Sequence, residues 1–303
     1  MKTAMISVDE TGLPKGIAAQ IREAGVELVC RKCRNADELA AFAGDADVLW
    51  MFGANLAVTP EVLDRLPKCR VLFRSGSGVD ALPLKRAAEL GIRVCNTPES
   101  IAESVAEHAV ALLFSLIRVI PRLDREVRRG IWHSGCQDTR WHISGRTLGL
   151  VGYGRIARDV ERMVSGFRMK VIFHDPFCPG STDLDTLLKE SDYISLHCPL
   201  TEQTRHRIGA REFGLMKPDA LLVNTSRGPV VDEKALIDAL KSGRLGGAAL
   251  DVTDPEPPEK DNPLLTMENV IITPHVAAFS ADFEKNFWQC SVNKIKELKE
   301  TLA

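Results

Sequence analysis

TLGLVGYGRIARDVERMVSGFRMKVIFHD, residues Thr147 to Asp175, carries the clearest structural signal in the chain. An apolar run, Leu148 to Val151, predicts a buried strand. A glycine turn follows, Gly152-Tyr153-Gly154-Arg155-Ile156-Ala157, then one helix's worth of residues from Ile156 to about Gly166. A second apolar run, Val171 to Phe173, ends on an acid, Asp175. Strand, tight turn, helix, strand and carboxylate in that order form a dinucleotide-binding βαβ unit. Gly152 permits the sharp exit from the strand, Gly154 lets a pyrophosphate approach the backbone, and Ala157 is small enough for close helix–strand packing. The helix N-terminus at Arg155 and Ile156, with its free N–H groups and positive dipole end, would face the phosphates. Asp175 can accept hydrogen bonds from ribose hydroxyls and would repel a 2′-phosphate. The expected cofactor is therefore NAD, with NADH preferred over NADPH.

Around this unit lie 303 residues in all, a length that suggests about two domains. The chain is 45% hydrophobic and 26% charged, as in ordinary globular proteins. Its 39 basic and 41 acidic residues leave a net charge of −2, which gives no global electrostatic reason for a nucleic-acid or membrane partner. The opening MKTAMISV lacks the long apolar core and cleavage site of a signal peptide. No window approaches the roughly 20 uncharged apolar residues of a membrane span. Eight cysteines, Cys69, Cys95, Cys198 and Cys290 among them, are scattered through the chain. They read as reduced thiols in a cytoplasmic protein. Cys30 and Cys33 form a C-x-x-C without the aromatic flank of a redox motif and read as incidental.

Residues 1 to about 98 alternate apolar runs (Ala4–Val8, Leu28–Cys30, Val48–Phe52, Val71–Phe73, Arg93–Cys95) with helical patterns. That alternation predicts a parallel sheet in an α/β domain of its own. Two strand ends stand out. At Ser75-Gly76-Ser77-Gly78, small residues can turn several N–H groups toward one anion, such as a carboxylate. At Trp50-Met51-Phe52-Gly53, bulky apolar groups could wall a substrate pocket, because ligands in open α/β sheets sit beyond the carboxyl ends of the strands.

Ile101 to Arg118 reads as a long helix, apolar nearly all round, of the kind that joins domains or meets its twin in a dimer. His108 on it reads as a packed or capping histidine. His133, Cys136 and His142 match no zinc spacing, and no metal is expected. More buried runs follow the glycine turn: Tyr193–Leu196, Leu221–Asn224, Ala248–Val252 and Val270–Thr273. Residues from about 100 to 280 thus form a second doubly wound domain. Ala281 to Leu302 reads as a helix that returns to the first.

Chemistry-bearing residues cluster just past these strands. Arg227 follows Leu221–Asn224 and has the planar fork that binds a carboxylate. Two carboxylates, Asp254 and Glu256, follow the next strand, in a proline-stiffened loop, and His275 follows the one after. A hydride transfer at a C–OH carbon also needs a proton carrier, and histidine suits that task. A carboxylate beside it orients the imidazole and stabilises its charged form, and an arginine polarises a carbonyl.

These residues resemble the D-isomer-specific 2-hydroxyacid dehydrogenase family. The motifs are RSGSGVD (74–80), SVAEHAVALL (104–113), GLVGYGRIA (149–157), LHCPLT (196–201), NTSRGPVVDE (224–233), ALDVTDPEPP (249–258) and NVIITPH (269–275). The resemblance implies two Rossmann-like, doubly wound parallel-sheet domains with an active-site cleft between them. Residues 1–98 plus 281–303 would be a flavodoxin-like substrate-binding domain, and 99–280 the NAD-binding domain. It implies His275 as acid/base, Glu256 tuning it, and Arg227 binding substrate. The Ser75–Gly78 amides would hold the substrate carboxylate, with Trp50 and Phe52 beside them. Asp251 would bond the nicotinamide carboxamide, and Thr225, Ser226, His197, Cys198, Pro199, Thr204 and His275 would border the cofactor. A homodimer through the NAD-binding domain and the helix from Ile101 is expected, acting on a small 2-keto or 2-hydroxy acid.

The chain departs from some members of the family. The third fingerprint glycine is Ala157, a tolerated variant. The arginine that phosphoglycerate dehydrogenases carry near the Trp50–Gly53 strand end is absent, as is the lysine that phosphite oxidation uses at 74–80. Formate dehydrogenases have glutamine where Glu256 stands. An NADH-sensing, corepressor-like binding protein would share the EPP and TPH segments, as would a dehydrogenase of phosphoglycerate or another anion.

Overall fold

The computed structural model describes residues 1–53, 55–132 and 142–302. The chain divides into two compact units, Met1–Ile101 with Ser280–Ala303, and Ala102–Phe279.

The first unit runs β1 (Lys2–Met5), α1 (Ile17–Glu23), β2 (Glu27–Cys30), α2 (Ala36–Ala43), β3 (Val48–Met51), α3 (Pro60–Leu63), β4 (Val71–Arg74), α4 (Leu84–Glu89), β5 (Arg93–Asn96). Its sheet is parallel, in the order β2-β1-β3-β4-β5. Parallel strands are covered on both faces and so read as unbroken apolar runs; β3, VLWM, is buried at every position. One face packs on Leu39, Val62 and Leu63. The other packs on α1 and on the last helix of the chain, Phe283–Leu302, through Phe287, Trp288, Val292 and Ile295. Trp50 stacks on Phe73 at 6.0 Å and meets the edge of Trp288 at 6.0 Å.

The second unit runs α5 (Ala102–Ile117), α6 (Ile120–Arg128), β6 (Thr147–Val151), α7 (Arg155–Val164), β7 (Lys170–His174), α8 (Leu184–Glu190), β8 (Tyr193–Leu196), α9 (Ala210–Leu215), β9 (Leu221–Asn224), α10 (Glu233–Lys241), β10 (Gly247–Leu250), β11 (Val270–Ile272). The parallel order is β11-β10-β9-β8-β6-β7. The chain leaves β6 to one side for β7 and to the other for β8. The crevice at the carboxyl ends of β6 and β8 is therefore the switch point where such sheets bind ligands. Asp183 and Asp232 cap α8 and α10 by accepting from first-turn N–H groups, a local reason for those helix starts. The charged stretch after Ile120 forms α6, with Ile120, Leu123 and Val127 recurring at helical spacing. Pro121 sits in its first turn, and the pairs Arg122–Glu126 and Arg128–Asp124 support its surface.

The thiols of Cys30 and Cys33 are free, and burial pushes that of Cys30 up to about 11. His133 and Cys136 lie outside the described residues. Among the described residues no group of three or more His, Cys, Asp or Glu could hold a metal ion. No single helix among them is long and apolar enough to cross a membrane.

Candidate active site

At the end of β6, Gly152 has φ +87°, and a β-carbon there would lie 2.6 Å from the Cys198 nitrogen. The backbone leaving β8 at His197 and Cys198 thus packs directly on the turn. Gly154 is the opposite case: nothing lies within 4 Å of where its β-carbon would stand. It precedes α7 without a side-chain cap, so the N–H groups at Arg155 and Ile156 open into free space. Asp175, just past β7, accepts from Tyr153 N–H at 2.8 Å through Oδ2 and from Phe177 N–H at 3.0 Å through Oδ1. Those bonds hold the carboxylate beside the glycine turn.

His197 Nε2 and Thr225 Oγ1 are buried without a hydrogen-bond partner among the described residues. Desolvation pushes the His197 imidazole down to about 4, so it is neutral. Buried polar atoms without partners call for a ligand or water. Together with the bare glycine turn and the anchored carboxylate they fit a dinucleotide. Two other expected cofactor contacts are occupied within the chain. Thr204 Oγ1 donates to Pro199 O at 2.6 Å, and Ser226 Oγ donates to Asn224 Oδ1 at 2.8 Å.

The register pairs Leu250 with both Asn224 and Ile272, so β9, β10 and β11 end level. Arg227, Glu256 and His275 leave these three adjacent ends. His275 Nδ1 lies 2.8 Å from Glu256 Oε2, and Glu256 Oε1 accepts from Thr253 N–H at 3.2 Å. A carboxylate only accepts, so Nδ1 carries the proton of that bond and Nε2 is left for chemistry. His275 and Glu256 are 48% and 39% exposed. His275 has φ +53°, a conformation a non-glycine residue keeps only when its surroundings hold it. The holding bonds are His275 N–H to Asp251 O at 2.8 Å, and Thr273 Oγ1, Val276 N–H and Ala277 N–H to the Asp251 carboxylate at 2.6, 3.0 and 2.9 Å.

Asp251 is 1% exposed, and both its oxygens are engaged by that turn. Its visible task within the chain is to pin the segment carrying His275. His108, on α5, places Nε2 3.1 Å from Thr273 Oγ1 in the same cluster. Arg227 turns one guanidinium nitrogen to Ser226 O at 2.7 Å. The adjacent Gly228 meets the Thr253 carbonyl so closely that a β-carbon would overlap it. The loops of Arg227 and Glu256 thus pack backbone on backbone. Sequence reasoning overlooked Glu233, which accepts from Asp254 N–H at 3.2 Å and Asn262 Nδ2 at 2.7 Å and so anchors the loop of Glu256. Its place at the end of NTSRGPVVDE, beginning a helix, was the available signal.

In the first unit, Trp50 is 0% exposed, which corrects its reading as a pocket wall. It points into the core, where Nε1 donates to Ser75 Oγ at 2.8 Å. Phe52 is half-buried and borders a cavity of about 430 Å³ with Ser7, Lys32, Arg34 and Asn55. Of the four expected amides, Ser75 N–H is taken by Met51 O at 2.9 Å and Gly76 N–H by Thr97 Oγ1 at 2.9 Å. Those of Ser77 and Gly78 remain.

A doubly wound sheet with a bare glycine turn at its switch point, and a paired histidine and carboxylate at neighbouring strand ends, is the architecture of NAD-dependent oxidoreductases. Residues 110–277 match the model of the D-isomer specific 2-hydroxyacid dehydrogenase NAD-binding domain, and the chain belongs to that family. It is 39% identical over 271 residues to a hydroxypyruvate reductase of Thermotoga maritima, across 86% of this chain and 88% of that one. It is 39% identical over 272 residues to a D-3-phosphoglycerate dehydrogenase of Methanocaldococcus jannaschii, covering 86% of this chain but 51% of that one. The chain thus spans about half the length of that relative. A D-lactate dehydrogenase from Aquifex aeolicus, solved with NAD and lactic acid, superposes with a TM-score of 0.84 at 28% identity, over 99% of this chain and 96% of that one.

Proposed function

We propose that this protein interconverts a small 2-keto acid and its D-2-hydroxy acid, using NADH in the reducing direction. The 2.8 Å contact of His275 with Glu256 carries the reading. Glu256 fixes the imidazole, and His275 Nε2 delivers a proton to the carbonyl oxygen as the C–OH forms. In the reverse direction it takes that proton back. Arg227 polarises the carbonyl and binds the acid group, and the loop of Ser75 to Gly78 holds the carboxylate by its amides. When bound, the nicotinamide supplies the hydride. Gly152, Gly154, Arg155 and Ile156 hold the pyrophosphate, and Asp175 selects NADH by repelling a 2′-phosphate.

The first unit, in this reading, is the substrate-binding domain. The exposed Ile120 and Val127 on α6 support a homodimer through the NAD-binding unit, and the free thiols suit the cytoplasm. The test is a turnover panel with glyoxylate, hydroxypyruvate, pyruvate and 3-phosphohydroxypyruvate, each with NADH and NADPH. His275→Ala and Arg227→Ala should each lose roughly a thousandfold in kcat/KM while NADH binding stays near normal. NADH binding without turnover of any keto acid would mark a sensor instead.

A further inference from the structure

We propose that Asn96 and Thr97, at the end of β5, are positioning residues that aim the amides of Ser77 and Gly78 at the substrate carboxylate. A trans peptide is planar, so a carbonyl and the N–H of the next residue point in opposite directions. Whatever holds one therefore aims the other. Thr97 N–H donates to Gly76 O at 3.0 Å, which turns the Ser77 N–H away from β5. Asn96 Nδ2 donates to Ser77 O at 2.6 Å, which does the same for Gly78 N–H.

Thr97, itself buried, also takes the Gly76 N–H on its hydroxyl at 2.9 Å. That pair of hydrogen bonds with Thr97 holds Gly76 at φ +95°, a backbone shape glycine adopts freely. Below the loop, Ser75 Oγ is fixed by Trp50 Nε1 at 2.8 Å and Ser291 Oγ at 2.7 Å. Arg74 donates to Gly78 O and brings a positive charge to the same loop. The result is a pair of successive outward N–H groups whose carbonyl sides are tied down, a preformed concavity for one anion. A preformed pair binds without first paying for its own ordering.

The inference rests on the keto-acid reading above, and its experiment separates the two. Thr97→Val keeps the shape and loses the hydroxyl; Thr97→Ser keeps the hydroxyl; Asn96→Ala loses the amide. With NADH saturating, Thr97→Val and Asn96→Ala should raise KM for the keto acid roughly 10- to 100-fold. They should weaken oxalate, a carboxylate inhibitor, in parallel. The change in kcat should be smaller, NADH affinity should be unchanged, and Thr97→Ser should lie close to wild type. Wild-type KM in both variants, or Thr97→Ser as impaired as Thr97→Val, overturns the proposal. Should the variants fail to fold, amide NMR of the wild-type protein with NADH decides it. Oxalate should shift the Ser77 and Gly78 resonances more than those of Ser75 and Gly76, and equal or absent shifts overturn it. A wild-type protein that turns over no keto acid counts against the functional reading, whereas active wild type with unaffected variants counts only against this one.

Discussion

His275 and Glu256 meet at 2.8 Å, and the same carboxylate is anchored from behind by the Thr253 N–H at 3.2 Å. Glu256 is therefore held at both oxygens, and it transmits the geometry of its loop to the imidazole. Glu256→Gln keeps an acceptor oxygen and the side-chain shape but removes the carboxylate's negative charge. We expect kcat to fall about tenfold in Glu256→Gln and a hundredfold or more in Glu256→Ala. Single-turnover kinetics with NADH prebound would check this, and equal rates for the two variants would show that the anchoring is unimportant.

Asp175 should govern cofactor choice. Asp175→Asn keeps the acceptor for Tyr153 N–H but is neutral, so a 2′-phosphate would no longer be repelled. The ratio of kcat/KM for NADPH over NADH should rise about tenfold or more, as expected for removal of one like-charge contact in a partly desolvated site. An unchanged ratio would place selection elsewhere in the chain.

Two glycine-to-alanine changes should have opposite signatures. Gly228→Ala drives a β-carbon into the Thr253 backbone, which cannot swing aside. Overpacking of this kind costs about 1–3 kcal/mol, so Tm should drop by several degrees, and turnover should fall as the loop of Glu256 moves. Gly154→Ala meets open space and should leave Tm unchanged while weakening NADH about tenfold or more. Thermal melts and NADH fluorescence titrations distinguish them.

His197 should make folding acid-sensitive. Its imidazole titrates near 6.5 when unfolded and is pushed down to about 4 by burial. Below pH 6.5 the unfolded chain gains a proton that the folded chain refuses, so the contribution is complete above 6.5 and is lost as pH falls toward 4. Urea unfolding of wild type and His197→Asn between pH 7 and 4.5 should differ in slope by about one proton. Parallel curves would show that the ring is solvated in the native state.

Much of the architecture was legible because its signals are local. Tyr193–Leu196 and Leu221–Asn224 begin and end in the structure where their apolar runs say they should. Trp50 misled because a strand-end aromatic looks available. Its side chain lies on the face of β3 covered by the last helix, and only the packing of Phe73 and Trp288 shows that. The helix α6 was hidden for another reason: charged residues dominate its sequence, and its apolar positions Ile120 and Val127 stay exposed rather than entering a core.

By itself the sequence determined most strands and helices of both units, the glycine turn with Asp175, and the identity of the groups at the strand ends. Period, turn chemistry and chirality act over a few residues, and they leave few options for where each end falls. Tertiary structure decided which of those groups remain free. Asp251 accepts from the turn of Thr273 to Ala277, and the amides of Ser75 and Gly76 are taken by Met51 and Thr97. Buried donors and acceptors must find partners, and those partners come from residues far apart in the chain, so no local pattern announces them.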